Sequence, residues 1–211
     1  MVSQITKKIE FGQVLEDIIL EVNPKIVVET GTLRGKGSTR IIANALLQLD
    51  HVATFFTIEV NPSRWDEIKE NTNRYLQNDK IDLKLICGLS VPRIMLPTLE
   101  EIEQMLLEKS CKFDAKRFYN DVNQDVPDDW LGVILRMYVP DVIFLDSAGH
   151  MGFIEFNYVM QYMSKHPFIL ILDDVSTIKH WKTVEVLKED SCFEIINFTS
   201  RFCIAKYNPE I

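Results

Sequence analysis

The sequence has few cysteines, few glycines and prolines, and no long apolar run. Its four cysteines form no CxxC pair, which argues against a zinc ribbon or a thioredoxin-like redox site. Eight glycines and eight prolines among 211 residues exclude collagenous and low-complexity classes. No apolar run approaches the roughly 20 residues that cross a bilayer, and the first residues do not resemble a signal peptide. We therefore expect reduced thiols in a cytoplasmic protein.

Positive charge is also scarce in this chain. Lys and Arg number 23 against 31 Asp and Glu, so the net charge is −8. A surface of this sign repels phosphate backbones and anionic lipids, which disfavours nucleic acids and membranes as partners. The rest is ordinary for a globular protein, with 46% hydrophobic and 26% charged residues. The length fits a single domain over residues 1–211.

Helix-like and strand-like patterns alternate along the chain. Apolar residues at three- and four-residue steps predict a first helix that ends at Asn23-Pro24. Short apolar segments predict five strands, at 25–30, 54–59, 82–87, 141–146 and 168–173. The last two lack polar alternation, which is typical of parallel strands buried on both faces. Segments 193–198 and 201–207 predict a closing antiparallel hairpin. The pattern indicates an α/β fold with helices on both faces of the sheet.

The stretch from Val91 to Pro140 interrupts this alternation. It is much longer than the single helix needed between two strands, and it includes an acidic segment at 121–129. We predict additional helices there. The stretch is either structural padding at one sheet edge or a lid or wall of a substrate pocket.

A glycine-bearing loop follows the first strand. It reads Glu29-Thr30-Gly31-Thr32-Leu33-Arg34-Gly35-Lys36-Gly37-Ser38. Ligands of open parallel sheets bind beyond the carboxyl ends of the strands, and the three glycines allow the backbone to approach a ligand closely. The loop has neither the Gly-Lys-Ser/Thr ending of a P-loop nor GxGxxG spacing. An uncharged adenosine-like ligand is therefore expected more than a diphosphate.

Two further strand ends extend this candidate cofactor site. Glu59 ends the second strand, where a carboxylate can accept hydrogen bonds from both ribose hydroxyls. A lone glutamate at a strand end is more often solvated, but its pairing with a glycine loop one strand earlier favours the ribose contact. Gly88, Leu89 and Ser90 follow the third strand and could border an adenine.

Three aspartates follow the fourth and fifth predicted strands. Asp146, Asp173 and Asp174 should meet at one rim if these strands are neighbours. Uncompensated carboxylates would repel, and a Mg²⁺ ion with oxygen ligands would remove that repulsion. Such an ion could also hold a substrate hydroxyl and lower its pKa. The alternative is that Asp146 contacts the cofactor, Asp173 caps the next helix and Asp174 is solvated.

Two histidines, His150 and His180, also follow predicted strand ends. An imidazole titrates near neutrality, so either one could accept a proton from a hydroxyl group. Together with Asp146 they form the candidate catalytic set. A histidine in this position is also commonly structural. The sequence does not decide which of the two histidines is the base.

These motifs resemble those of one family. The glycine loop from Glu29, then Glu59, Asp146 and the Asp173-Asp174 pair, is similar to the pattern of class I S-adenosylmethionine-dependent methyltransferases. More narrowly, the ETGT loop, the Phe-Leu-Asp strand near a histidine and the Leu-Asp-Asp strand resemble small-molecule O-methyltransferases of the antibiotic- and sugar-tailoring type. The resemblance covers nearly the whole chain.

The resemblance implies a Rossmann-like, doubly wound sheet of seven strands in the order 3-2-1-4-5-7-6, with strand seven antiparallel. It implies that Glu29 and the glycine loop hold the methionine end of S-adenosylmethionine and that Glu59 holds its ribose. The predicted cofactor contacts are Glu29, Thr30, Gly31, Thr32, Gly35, Gly37, Ser38, Glu59, Gly88, Leu89, Ser90 and Asp146. The implied reaction is methyl transfer to an oxygen of a small molecule, and a homodimer is reasonable.

Two other functions are compatible with the same residues. One is a catalytically inactive protein that binds an adenosine ligand or serves in assembly on this fold. The other is a nicotinamide-dependent oxidoreductase, since Glu59 would also suit the ribose of NAD. The spacing of the glycine loop speaks against the oxidoreductase.

Overall fold

The computed structural model describes residues 10–109 and 115–209, which form seven strands and eight α-helices. The helices are α1 (Glu10–Val22), α2 (Ser38–Leu46), α3 (Trp65–Leu76), α4 (Leu99–Lys109), α5 (Ala115–Val122), α6 (Trp130–Met137), α7 (Met151–Met163) and α8 (Trp181–Glu189). The strands are β1 (Ile26–Thr30), β2 (Ala53–Glu59), β3 (Ile81–Cys87), β4 (Val142–Leu145), β5 (Phe168–Asp173), β6 (Phe193–Phe198) and β7 (Phe202–Tyr207).

All seven strands join one sheet in the order β3-β2-β1-β4-β5-β7-β6. The first five strands run parallel to one another, whereas β7 runs antiparallel to both β5 and β6. The predicted fold class, strand order and closing hairpin are therefore confirmed. At the carboxyl edge Thr30 lies level with Ile58 and Leu145, so the loops after β1, β2 and β4 leave the sheet side by side.

Apolar side chains cover both faces of the central strands. Val27 and Val28 are both fully buried, but they belong to different hydrophobic clusters because successive side chains of a strand point to opposite faces. Helices α1 and α2 pack over the face that contains Val27, and α6 and α7 pack over the other. Two helical layers therefore enclose the sheet, as the apolar strand pattern predicts.

The stretch after β3 contains the predicted additional helices, α4, α5 and α6. Phe118 of α5 and Leu131 of α6 are buried in the same core as α7, so this stretch contributes to the hydrophobic core. Its part as a lid or substrate wall stays a prediction.

A 3-10 turn, Pro62–Arg64, leads from the end of β2 into α3. The Asn61 side chain caps that turn by accepting from the Ser63 N–H at 2.9 Å.

Three cysteines fall within the described residues, and all are free thiols: Cys87, Cys192 and Cys203. Of these, only Cys203 is fully buried. Cys111 lies outside the described residues. None of the helices described is both long and apolar enough to span a membrane.

Candidate active site

The glycine loop brings three strand ends into contact. Gly31 has a φ of +84°, a conformation that favours glycine, and its N–H donates to the Ile58 carbonyl at 2.9 Å. A Cβ atom at Gly31 would lie 2.5 Å from the carbonyl oxygen of Asp146. Only glycine therefore fits where the loop after β1 crosses between the ends of β2 and β4.

Glu29 is fully buried and binds the start of α2. Its carboxylate accepts hydrogen bonds from the hydroxyls of Ser38 at 2.5 Å, Thr39 at 2.7 Å and Thr57 at 2.6 Å. Burial raises the pKa of Glu29, and the three hydroxyl donors oppose that rise. Glu29 thus fixes α2 against β1 and β2. Its predicted contact with the methionine end of a cofactor stays a prediction.

Glu59 lies at the end of β2, as expected, and is only 3% exposed. Its carboxylate accepts from the N–H groups of Leu33 at 2.7 Å and Asn61 at 2.9 Å, and from Arg64 Nη1 at 2.9 Å. Burial raises the pKa of Glu59, while the Arg64 guanidinium opposes the rise. Arg64 also pairs with Asp121 of α5 at 3.2 Å, so α5 is tied to the predicted ribose position.

Glu155 of α7 is a site residue that the sequence analysis missed. It is fully buried and accepts from Thr30 Oγ1 at 2.9 Å, from Ser147 Oγ at 2.7 Å and from Ser90 Oγ. Thr30 is the last residue of β1, whereas Ser147 and Ser90 lie in the loops after β4 and β3. Burial raises the pKa of Glu155, against the three hydroxyl donors. The only sign of this residue in the sequence is that Glu155 is the one acidic residue in the otherwise mainly apolar α7, and no motif surrounds it.

The first turn of α6 packs across the predicted adenine edge. The backbone N–H of Trp130 donates to the Leu89 carbonyl at 3.1 Å, and the backbone N–H of Leu89 donates to the Pro127 carbonyl at 2.9 Å. A Cβ atom at Gly88 would overlap the Trp130 indole, so glycine is needed for this contact. Trp130 Nε1 is buried and has no hydrogen-bond partner among the described residues. An unused indole donor therefore lies beside the loop after β3.

The three aspartates assemble at one rim, as predicted. One carboxylate oxygen from each of Asp146, Asp173 and Asp174 lies within 4.8 Å of the others. Two cations from the chain face them. Lys179 Nζ donates to Asp146 Oδ1 at 2.6 Å and to Asp174 Oδ2 at 3.0 Å, and Arg201 Nε donates to Asp173 Oδ1 at 3.1 Å. The alternative role of Asp173 as a helix cap is not seen, since His180 is the residue that precedes α8.

The electrostatics of the rim match this internal pairing. Burial raises the pKa of Asp146 to about 7, and Lys179 opposes the rise. Burial alone would lower the pKa of Lys179, but Asp146 and Asp174 raise it above its usual range. A protonated Lys179 is therefore the cation in direct contact with two of the three carboxylates. In this arrangement the rim does not fit the expected Mg²⁺, because Lys179 binds Asp146 and Asp174 and Arg201 binds Asp173 at the place that the ion would take.

His180 is a fully buried side chain beneath α7. Its Nε2 is 3.0 Å from the Leu145 carbonyl oxygen, its Nδ1 is 3.4 Å from Thr183 Oγ1, and Gly152 packs directly on the ring. Burial lowers the pKa of His180 to about 3. Both ring nitrogens have partners, so the structure gives this histidine a packing role between β4 and α8.

His150 differs from His180 in having an unused ring nitrogen. It directly precedes α7 and is 8% exposed. Its Nδ1 is buried without a hydrogen-bond partner among the described residues. Burial lowers the pKa of His150, which favours the neutral imidazole that can accept a proton. Of the two candidate bases, His150 is thus the one with an available acceptor.

No family model matches the sequence, and neither does any curated protein. Solved structures do match over nearly the whole chain. An O-methyltransferase from Bacillus cereus in complex with SAH is 16% identical, with a TM-score of 0.61, covering 99% of this chain and 84% of that one. The O-methyltransferase TomG from Streptomyces achromogenes, involved in Tomaymycin synthesis and solved with SAM, is 13% identical, with a TM-score of 0.57. That alignment covers 94% of this chain and 79% of TomG.

A methyltransferase from Geobacter sulfurreducens also matches. It is 12% identical, with a TM-score of 0.55, and the alignment covers 97% of this chain and 80% of that one. At such low identity these matches establish the architecture of the chain. The seven-stranded order with an antiparallel β7 and the matched structures together show that this chain has the fold of class I S-adenosylmethionine-dependent methyltransferases.

Proposed function

We propose that this protein transfers a methyl group from S-adenosylmethionine to an oxygen atom of a small molecule. One observation carries the proposal: the glycine loop, Glu59 and Asp146 lie together at the adjoining ends of β1, β2 and β4. This is the crevice in which open α/β sheets bind ligands. Matched structures with the same fold are described as complexes with SAH or SAM.

The residues at this edge fit an adenosine cofactor. The loop residues Thr30, Gly31, Thr32, Gly35, Gly37 and Ser38 would surround its methionine end. Glu59 already accepts three hydrogen bonds, and a carboxylate has about four acceptor positions, so one is left for a ribose hydroxyl. Gly88, Leu89 and Ser90 would border the adenine, where the unused Trp130 Nε1–H offers a donor for a ring nitrogen.

When bound, S-adenosylmethionine supplies an activated methyl group. The chain must then align the acceptor and remove its proton, and alignment alone can contribute a large part of the rate. We assign proton removal to His150, because its Nδ1 is free to accept. An oxygen acceptor is favoured because the same edge offers an ammonium group, Lys179, that can donate to an oxygen. The stretch 91–140 would form part of the acceptor pocket, through α6.

Native mass spectrometry of the purified protein, followed by a methyl-transfer assay, separates the three candidate functions. Bound S-adenosylhomocysteine supports the methyltransferase. A bound dinucleotide would instead support the oxidoreductase. A protein that binds S-adenosylmethionine but transfers no methyl group to any member of a panel of alcohols, phenols and sugars would favour the inactive binding protein. A cytoplasmic location and a homodimer stay predictions.

A further inference from the structure

The aspartate rim contains a positive charge that the chain itself supplies. Lys179 lies in the loop between β5 and α8 and is only 7% exposed. Its Nζ is 2.6 Å from Asp146 Oδ1 and 3.0 Å from Asp174 Oδ2. These aspartates come from the ends of two neighbouring strands, β4 and β5. The ammonium group therefore joins two of the three carboxylates that a metal ion would need.

The third carboxylate is also neutralised within the chain. Arg201, just before β7, contacts Asp173 through Nε at 3.1 Å and through Nη2 at 3.5 Å. A divalent ion ligated by the same oxygens would have to lie about 2.0–2.6 Å from each of them. It would then lie within a few ångström of the ammonium nitrogen, where like charges repel strongly. The ion and Lys179 cannot both occupy this position.

We propose that Lys179 replaces a divalent cation at this rim and makes the protein independent of metal. An ammonium group has three N–H donors, and two of them bind Asp146 and Asp174. The third has no acceptor among the described residues, so it can donate to the oxygen of a bound acceptor. A fixed positive charge there would stabilise negative charge that develops on that oxygen. The acceptor contact rests on the proposed function, whereas the exclusion of metal does not.

Manganese binding tests directly whether Lys179 takes the place of a divalent cation. Mn²⁺ takes the same oxygen ligands as Mg²⁺, and its binding is measured by electron paramagnetic resonance. The parent protein should show no saturable Mn²⁺ binding, and its melting temperature should not change with EDTA or Mg²⁺. Lys179→Met removes the ammonium group and leaves the carboxylates facing one another. This variant should bind Mn²⁺, and its Tm should rise by about 3–6 °C at a Mn²⁺ concentration tenfold above Kd.

Two further variants make the result specific to the rim. Lys165→Met, the same change at an exposed lysine, should leave the protein as insensitive to Mn²⁺ as the parent. Lys179→Met combined with Asp174→Asn should lose the acquired Mn²⁺ binding, since a ligand is removed. If methyl transfer is measurable, Lys179→Met should lose it without metal and regain part of it with Mg²⁺, which a purely structural lysine would not show.

Saturable Mn²⁺ binding by the parent at this rim would overturn the proposal. A folded Lys179→Met variant that binds no Mn²⁺ would also overturn it, because the carboxylates would then not form a ligand set. If this variant does not fold, the measurement on the parent still decides. Titration of the same parent sample with S-adenosylhomocysteine tests the proposed function separately, since metal exclusion needs no cofactor.

Discussion

At the scale of single residues, charged side chains at the sheet edge are buried and internally paired. Glu29 and Glu155 each accept three hydroxyl donors, and Glu59 accepts two backbone N–H groups and a guanidinium. A buried carboxylate is costly unless such donors satisfy it. The proposed cofactor loops are therefore held in place by side chains already fixed before a ligand binds.

Glu59→Gln should weaken binding of S-adenosylhomocysteine by about 1–3 kcal/mol, the range for losing a hydrogen bond to a charged group. Isothermal titration calorimetry measures this difference. The matched control is Glu70→Gln, an exposed glutamate of α3, which should leave binding unchanged. If both variants bind like the parent while folded, the ribose is not held by Glu59.

The buried His180 predicts a particular dependence of stability on pH. Its pKa is lowered to about 3 in the folded protein, whereas an unfolded histidine titrates near 6.5. Between these values the unfolded chain binds the extra proton, so this residue makes stability fall as the pH decreases from about 6.5 towards 3. The expected slope is about 1.4 kcal/mol per pH unit.

Urea unfolding of the parent and of His180→Gln between pH 4.5 and 7 isolates this contribution. The substitution should destabilise the protein at pH 7, where the neutral imidazole is well packed, and the difference should shrink as the pH falls. A difference that stays constant over this range would show that His180 does not titrate as its burial requires.

At the scale of helices and strands, α7 organises the ends of three strands through Glu155. Glu155→Ala would leave the hydroxyls of Thr30, Ser90 and Ser147 without their shared acceptor. We expect a loss of about 1–3 kcal/mol in the free energy of unfolding and faster amide hydrogen exchange in the loops after β1, β3 and β4. Glu185→Ala, on the exposed side of α8, is the matched control. Unchanged exchange in the three loops would contradict this role.

The elements themselves could be predicted largely from local pattern. The buried strands β4 and β5 are continuous apolar runs, and the hairpin of β6 and β7 has a turn between two apolar segments. The strand order, by contrast, rested on the family resemblance. Lys179, Glu155 and Arg64 were not identified from the sequence because none of them lies in a recognisable motif. Each also has a partner far along the chain: Lys179 meets Asp146, Glu155 meets Thr30 and Arg64 meets Asp121. Spacing along the chain does not encode which carboxylate such a side chain will meet.

At the scale of the whole molecule, one sheet edge collects the features on which the proposed function depends. The loops after β1, β2 and β3 carry the proposed cofactor contacts, and those after β4 and β5 carry Asp146, His150 and Lys179. We propose that the sheet and the helices of the 91–140 stretch act as one domain, with α6 as a wall between the cofactor and acceptor positions. The negative net charge fits a small-molecule substrate more than a polyanion.

A crystal structure of the protein with S-adenosylhomocysteine tests the central claim most directly. We expect a ribose hydroxyl within hydrogen-bond distance of Glu59, the amino-acid end along the loop from Gly31 to Gly37, and the adenine beside Gly88 and Trp130. Crystals grown with millimolar ligand that show no density at this sheet edge, or density at another place, would contradict the assignment of the cofactor site and the proposed methyl transfer with it.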